Sequence, residues 1–96
     1  LNLRDGLTGI GNRRHVDRYL EPLFRHSQRH GLPFAIGLLD LDHFKQINDR
    51  YGHEAGDVCL RAIGACLQSA FRRSNDHVAR YGGEEFVVFM SPVAGE

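Results

Sequence analysis

Four acidic residues stand where the sequence predicts that two strands meet turns. Asp40 and Asp42 end one apolar run, and Glu84 and Glu85 directly precede another. A carboxylate at the end of an apolar strand is costly unless another group compensates its charge. Mg²⁺ does so in proteins, where it binds one or two carboxylates together with substrate phosphates. The pattern favours metal-assisted phosphoryl transfer; the alternative is that all four acids are solvated turn residues.

Two glycines, Gly82 and Gly83, precede the glutamates. Their lack of a side chain lets a triphosphate approach the backbone closely. The same pair predicts a two-residue hairpin turn that tolerates positive φ, joining strands at residues 77–81 and 84–90.

The elements that must position these residues follow from apolar spacing. Residues 34–41 are almost continuously apolar, which predicts a central strand buried on both faces. A helix begins at Arg13, is kinked or broken at Pro22 and ends before Gly31. Its apolar face comprises Val16, Tyr19, Leu20, Leu23 and Phe24. A second long helix after the strand carries Ala55, Val58, Cys59, Ala62, Ile63, Cys66, Leu67 and Ala70 at helical spacing. The order helix, strand, helix, strand, strand predicts an α+β fold with an antiparallel hairpin.

Charge and composition exclude several classes of function. The 96 residues include twelve basic and twelve acidic side chains, so no global field attracts nucleic acid or an anionic membrane. No apolar run approaches the roughly 20 residues of a membrane-spanning helix, so we expect no membrane insertion of this segment. Cys59 and Cys66 lie too far apart on one helix for a disulfide; we interpret them as small buried hydrophobic residues in a reducing, cytoplasmic protein.

Four ordered sequence blocks resemble the signatures of one known family. Residues 80–86, RYGGEEF, resemble the GGEEF form of the GGDEF signature. Residues 5–14 resemble the family's D-x-L-T-G-L-x-N-R-R opening, residues 39–49 its L-D-I-D-x-F-K-x-I-N-D block, and residues 51–57 its Y-G-H-x-x-G-D block. Together the blocks span nearly the whole chain, which is therefore similar to GGDEF domains, the diguanylate cyclase family.

The resemblance implies a fold and an activity. The fold would be a ferredoxin-like, nucleotidyl-cyclase (palm-like) antiparallel sheet flanked by helices, with residues 1–96 forming a partial GGDEF domain that is incomplete at the C-terminus. The activity would be condensation of two GTP molecules into cyclic di-GMP and pyrophosphate, dependent on Mg²⁺ or Mn²⁺. Because each domain holds one nucleotide, it also implies a homodimer.

For the metal site, the resemblance implies Asp40 as the principal ligand, with the Leu41 carbonyl nearby and Glu84 completing the site. Glu85 would be a further ligand or would help to deprotonate the attacking 3′-hydroxyl. Asp42 is either a ligand or a supporting residue.

For the nucleotide, the resemblance implies that Asn48 and Asp57 bind the guanine edge, whose donors and acceptors suit an amide and a carboxylate. Phe44 and Lys45 would hold the terminal phosphates through backbone amides at a helix start. His53, within the same blocks, is assigned only a structural hydrogen-bonding role.

Arg73 and Asp76 match the family's R-x-x-D motif, which implies a site for inhibition by the cyclic di-GMP product. The alternative for this short string is a solvated turn. Neither these residues nor the other arginines form a basic stripe with interleaved aromatic residues, so we expect no nucleic-acid binding.

The chain is shorter than a complete GGDEF domain, which continues through another helix and at least one further strand. We therefore expect a partial sequence, in which strand 34–41 presents an apolar edge that lacks a neighbour. The expected location is the cytoplasm, within a larger sensor protein. The second functional reading is a regulatory module that binds GTP or cyclic di-GMP without turnover.

Overall fold

A computed structural model describes residues 2–92 of the chain. It contains three helices and three strands, in the order α1 (Arg13–Arg29), β1 (Ala35–Asp40), α2 (Phe44–Tyr51), α3 (His53–Ala70), β2 (Asp76–Arg80) and β3 (Glu85–Met90). The α+β class is confirmed. The sequence predicted a single helix between β1 and β2, whereas the structure divides this region at Gly52, whose φ of 91° ends α2.

The strands form an antiparallel sheet in the order β1-β3-β2, so β3 is the central strand. Within residues 2–92, the strand predicted at residues 34–41 is not central and is not buried on both faces; it has the exposed apolar edge expected of a partial domain. Ile36 and Leu38 of β1 are 53% and 77% exposed, because, within residues 2–92, β1 has a strand on one side only and the long helices pack on β2 and β3. The apolar run correctly predicted a strand, but an apolar run does not indicate whether the strand lies at the centre or at the edge of the sheet.

The core lies on both faces of β3, since alternate residues of a strand point to opposite faces. Phe86 and Val88 pack with Leu60 and Leu67 of α3. On the other face, Val87 and Phe89 pack with Val16 of α1. The two long helices therefore cover opposite faces of the sheet, which fixes β3 and the turn before it.

Helix α1 starts at the Asn12 cap, whose side-chain Oδ1 accepts a hydrogen bond from the His15 N–H at 3.0 Å. Helix α1 is not broken at Pro22, since it continues to Arg29.

The cysteines differ from the prediction. Cys59 is half-buried, and Cys66 is exposed, so the expectation of a buried side chain is wrong for Cys66. Cys66 lies about 100° around α3 from its buried neighbour Leu67, and this rotation takes it out of the sheet-facing stripe. Within residues 2–92, no helix is both long enough and apolar enough to cross a membrane.

Candidate active site

The turn between β2 and β3 brings the glutamates to the edge of the sheet. The Tyr81 N–H donates to the Glu85 carbonyl at 2.8 Å, which leaves Gly82, Gly83 and Glu84 in the turn. The predicted two-residue hairpin is therefore wrong, and neither glycine adopts positive φ. Gly82 serves a different purpose: a Cβ there would overlap the Glu85 carboxylate. The glycine makes room for an acid.

Arg80 holds this turn in place. Its Nε and Nη2 donate to the Gly83 carbonyl at 3.0 and 2.8 Å, and its Nη1 lies 3.4 Å from the Asp5 carboxylate. Asp5 also accepts hydrogen bonds from the Thr8 N–H and hydroxyl, at 2.9 and 2.8 Å. Partial burial alone would raise the pKa of Asp5, but the Thr8 hydrogen bonds and the Arg80 charge outweigh it, so the pKa is lowered. The N-terminal loop and the glycine turn are thus linked through Arg80.

The acids predicted for the metal site share one cleft. Asp40 lies directly opposite Glu85 across β1 and β3, and the N–H of Leu41 donates to the Glu84 carbonyl at 3.2 Å. A polar cleft of about 160 Å³ is lined by Asp40, Gly83, Glu84 and Glu85. Like charges directly opposite each other on a sheet repel. The arrangement therefore concentrates negative charge at one end of the strands.

This donor set fits Mg²⁺ or Mn²⁺ in chemical type, because hard divalent cations bind carboxylate and carbonyl oxygens. A cation would also relieve the repulsion between Asp40 and Glu85. Among residues 2–92, however, no three His, Cys, Asp or Glu side chains converge closely enough to hold a metal ion. Asp40 and the two glutamates thus share a cleft without forming a closed ligand cage.

A second cleft, of about 440 Å³, adjoins the acidic one and shares Gly83 and Glu84 with it. Its walls include the residues predicted to bind phosphate and guanine: Phe44, Lys45, Asn48 and Asp57. Arg80 and His53 also line it. The structure therefore brings the predicted nucleotide-binding residues together and places them beside the acids.

The N-terminus of α2 opens this cleft. His43 precedes the helix with φ 62° and ψ 21°, in the left-handed region that non-glycine residues rarely adopt. The first helical hydrogen bond runs from the Ile47 N–H to the His43 carbonyl at 3.1 Å, and no side chain from residues 2–92 caps the helix. The amides of Phe44 and Lys45 precede this bond and have no acceptor within the helix. Free amides and the positive end of a helix dipole suit an anion.

Two polar side chains that line the cleft, those of His53 and Arg80, were not assigned to ligand binding from the sequence. His53 is exposed on the cleft, and its distance from Asp57 along α3, i to i+4, places both on one face of the helix. That spacing was a usable signal for His53. The role of Arg80 depends on the Gly83 carbonyl and on Asp5, a residue 75 positions away, which local spacing does not report.

Arg73 and Asp76 lie at the other end of β2 from Arg80. The Asp76 carboxylate accepts a hydrogen bond from the Arg73 N–H at 3.0 Å, and the Asp76 N–H donates to the Arg73 carbonyl at 3.0 Å. These contacts form a compact turn with the Arg73 side chain exposed. The structure keeps this pair separate from both clefts.

Comparison with known proteins identifies similar sequences over almost the whole chain. The sequence model described as "Diguanylate cyclase, GGDEF domain" matches residues 2–96. The probable diguanylate cyclase DgcC of Escherichia coli K12 is 42% identical over 96 residues, which cover 100% of this chain and 26% of DgcC. The response regulator PleD of Caulobacter vibrioides NA1000 is 44% identical over 94 residues, or 98% of this chain and 20% of PleD. The chain thus spans only about a quarter of the length of DgcC and a fifth of the length of PleD.

The crystal structure of the GGDEF domain of DgcB from Caulobacter crescentus, in complex with c-di-GMP, superposes with a TM-score of 0.88 at 33% identity. The match covers 97% of this chain and 52% of that one. The described helices and strands therefore correspond to about half of a crystallised domain of this fold.

Proposed function

Since the chain belongs to the diguanylate cyclase GGDEF family, we propose that it is the part of a diguanylate cyclase that supplies the metal-binding acids and the guanine cleft. The complete protein condenses two GTP molecules into cyclic di-GMP. In each half-reaction the 3′-oxygen of one GTP attacks the α-phosphorus of the other, and pyrophosphate leaves. The expected location is the cytoplasm, where GTP is available.

Asp40, Glu84 and the Leu41 carbonyl would hold Mg²⁺ or Mn²⁺, as the shared acidic cleft supports. When bound, the ion supplies neutralisation of phosphate charge and activation of the attacking oxygen. Glu85, opposite Asp40, acts as a further ligand or accepts the proton of the 3′-hydroxyl. Arg80 keeps the turn that carries both glutamates in position by binding the Gly83 carbonyl.

The second cleft would hold the nucleotide. The backbone amides of Phe44 and Lys45, with the Lys45 ammonium, bind the terminal phosphates. Asp57 accepts from the N1–H and exocyclic amine of guanine, and Asn48 binds an adjacent position on the same edge. Adenine presents the wrong order of donors and acceptors to this pair, so the cleft selects GTP.

One nucleotide cleft per domain has a consequence for assembly. Two GTP molecules must meet in antiparallel orientation for both phosphodiester bonds to form. The active species is therefore a homodimer whose two clefts face each other. Arg73 and Asp76 bind the product at a separate inhibitory site, where a guanidinium pairs with phosphate or guanine and a carboxylate accepts from guanine.

The observation that carries this proposal is the continuity of the two clefts through Gly83 and Glu84. The test is incubation of the full-length protein with GTP and Mg²⁺, with cyclic di-GMP followed by chromatography. Glu84→Gln should lower the rate by about a hundredfold or more, because it removes a carboxylate proposed to bind the metal ion that neutralises charge at the reacting phosphate. Glu21→Gln, an exposed glutamate on α1, is the matched control and should retain the parent rate.

A regulatory module that binds GTP or cyclic di-GMP without turnover is the second candidate. It is favoured by the absence of a converged three-acid group within residues 2–92. Nucleotide binding without product formation by the parent protein would establish this candidate and refute the cyclase.

A further inference from the structure

Gly56 is the fourth residue of α3 and is buried, at a position where glycine is unexpected. Glycine is the least favourable helix-interior residue after proline. The backbone conformation does not require glycine at this position. The φ angle of Gly56 lies outside the left-handed region, and its N–H donates to the Gly52 carbonyl at 3.3 Å, as in any helix. The reason for glycine must be the space that a side chain would fill.

That space is occupied by residues of α2. A Cβ at position 56 would overlap the Oδ1 of Asn48, and it would lie 3.0 Å from the Asn48 Cγ and 3.1 Å from the Phe44 Cζ. Both neighbours line the nucleotide cleft. Gly56 therefore sets how closely the cleft-lining side chains of α2 approach α3.

The contact also determines the orientation of the Asn48 amide. Its Oδ1 is buried against Gly56 and has no hydrogen-bond partner within residues 2–92. The Nδ2 is the amide atom left to interact with a ligand in the cleft, beside Asp57, the residue that follows Gly56 along α3. Exchange of the two amide atoms would not alter the steric argument, because an alanine methyl group at position 56 would exclude either atom.

We propose that Gly56 is a positioning residue for base selectivity: it holds the Asn48 amide in the place from which it recognises guanine. This inference rests on the proposed nucleotide cleft, but not on turnover. An alanine at position 56 pushes the amide out towards the cleft, so that a hydrogen bond to the base is lost while Asp57 and the phosphate-binding amides remain.

The test uses the full-length protein, Mg²⁺ and two analogues that bind without reacting, 3′-deoxyGTP and 3′-deoxyATP, which lack the attacking hydroxyl. Calorimetric titration gives the ratio of their dissociation constants. Gly56→Ala should reduce the preference for the guanine analogue about tenfold, as expected for the loss of one hydrogen bond. Asn48→Ala should cause a loss of similar size. Adding Gly56→Ala to Asn48→Ala should change the preference less than twofold, because the displaced amide is already absent.

Gly64→Ala is the matched control. Gly64 is also buried in α3, where a Cβ would lie 2.9 Å from the Thr8 Cβ, but it does not line the cleft. This variant should keep the parent's base preference even if it is less stable. An unchanged preference in Gly56→Ala, or independent losses from positions 48 and 56, would overturn the inference. A parent protein that prefers guanine but forms no cyclic di-GMP would refute the cyclase and leave the role of Gly56 standing.

Discussion

Replacing Asp5 by asparagine removes the negative charge opposite Arg80 and preserves the shape of the side chain. The two charged groups lie 3.4 Å apart, with side chains 17% and 19% exposed. At this separation Coulomb's law gives about 1 kcal/mol in water and about 5 kcal/mol at an effective dielectric constant of about 20. Desolvation offsets much of the larger value, and the asparagine oxygen still accepts from Thr8. We therefore expect Asp5→Asn to lower the free energy of unfolding by about 1–2 kcal/mol at pH 7.

The pH dependence provides a second readout of the same contact. The folded-state pKa of Asp5 is lowered, so the carboxylate contributes stability above its ordinary pKa of 3.8, and this contribution is lost as the pH falls through the folded-state value. The difference between parent and Asp5→Asn should thus be constant near neutral pH and shrink below about pH 4.

Urea denaturation followed by circular dichroism, at pH 7 and at several values down to pH 3, measures both quantities. Asp49→Asn, an exposed aspartate on α2, is the control and should change stability by less than about 0.5 kcal/mol. If Asp5→Asn matches this control at pH 7, or if its deficit persists at pH 3, the charge contact with Arg80 does not stabilise the fold and the reasoning fails.

Two further predictions concern histidine titration and product binding. His15 Nε2 and His77 Nδ1 lie 2.9 Å apart, and burial lowers the pKa of both side chains. The charges of His77 and Arg4 lower the pKa of His15 further. At His77, the charge of Asp76 partly opposes the effect of burial on the pKa. The neutral pair therefore stabilises the fold above about pH 6.5. The midpoint temperature of thermal unfolding should decrease as the pH falls from 7 to 5, and it should decrease less in His77→Gln. An equal dependence on pH in the two proteins would contradict this prediction. Arg73→Ala should relieve inhibition by cyclic di-GMP with little change in initial rate, and an unchanged inhibition curve would exclude Arg73 from the product site.

The sequence predicted which residues meet at the site better than it predicted how the chain presents them. The acids at residues 40 and 84–85 lie close together because they stand at strand ends beside a turn, and local sequence patterns predict both features. The exposure of β1 depends on which strands flank it, and residue 36 would show the same apolar character in an edge or a central position. The prediction of a two-residue hairpin turn was wrong because Gly82 leaves room for the Glu85 carboxylate, and neither Gly82 nor Gly83 adopts a positive φ.

The same limit applies to residues whose partners are distant. Arg80 acts through a residue near the start of the chain, and Gly56 acts through a side chain on the preceding helix. Neither contact leaves a periodic trace in the sequence. Only the packed structure identifies the Asn48 Oδ1 as the atom that occupies the space beside Gly56.

Helix α2 has no fully buried residue, and a single residue, Gly52, separates it from α3. Elements with little buried apolar surface open at a small fraction of the global unfolding free energy. The amides of this helix should thus exchange with deuterated solvent far faster than those of β3, whose Phe86 and Phe89 are fully buried. A nucleotide bound across α2 and α3, as proposed, would hold this helix in place. Part of the free energy of nucleotide binding would therefore offset the conformational entropy lost when α2 becomes ordered at the phosphate-facing end of the cleft.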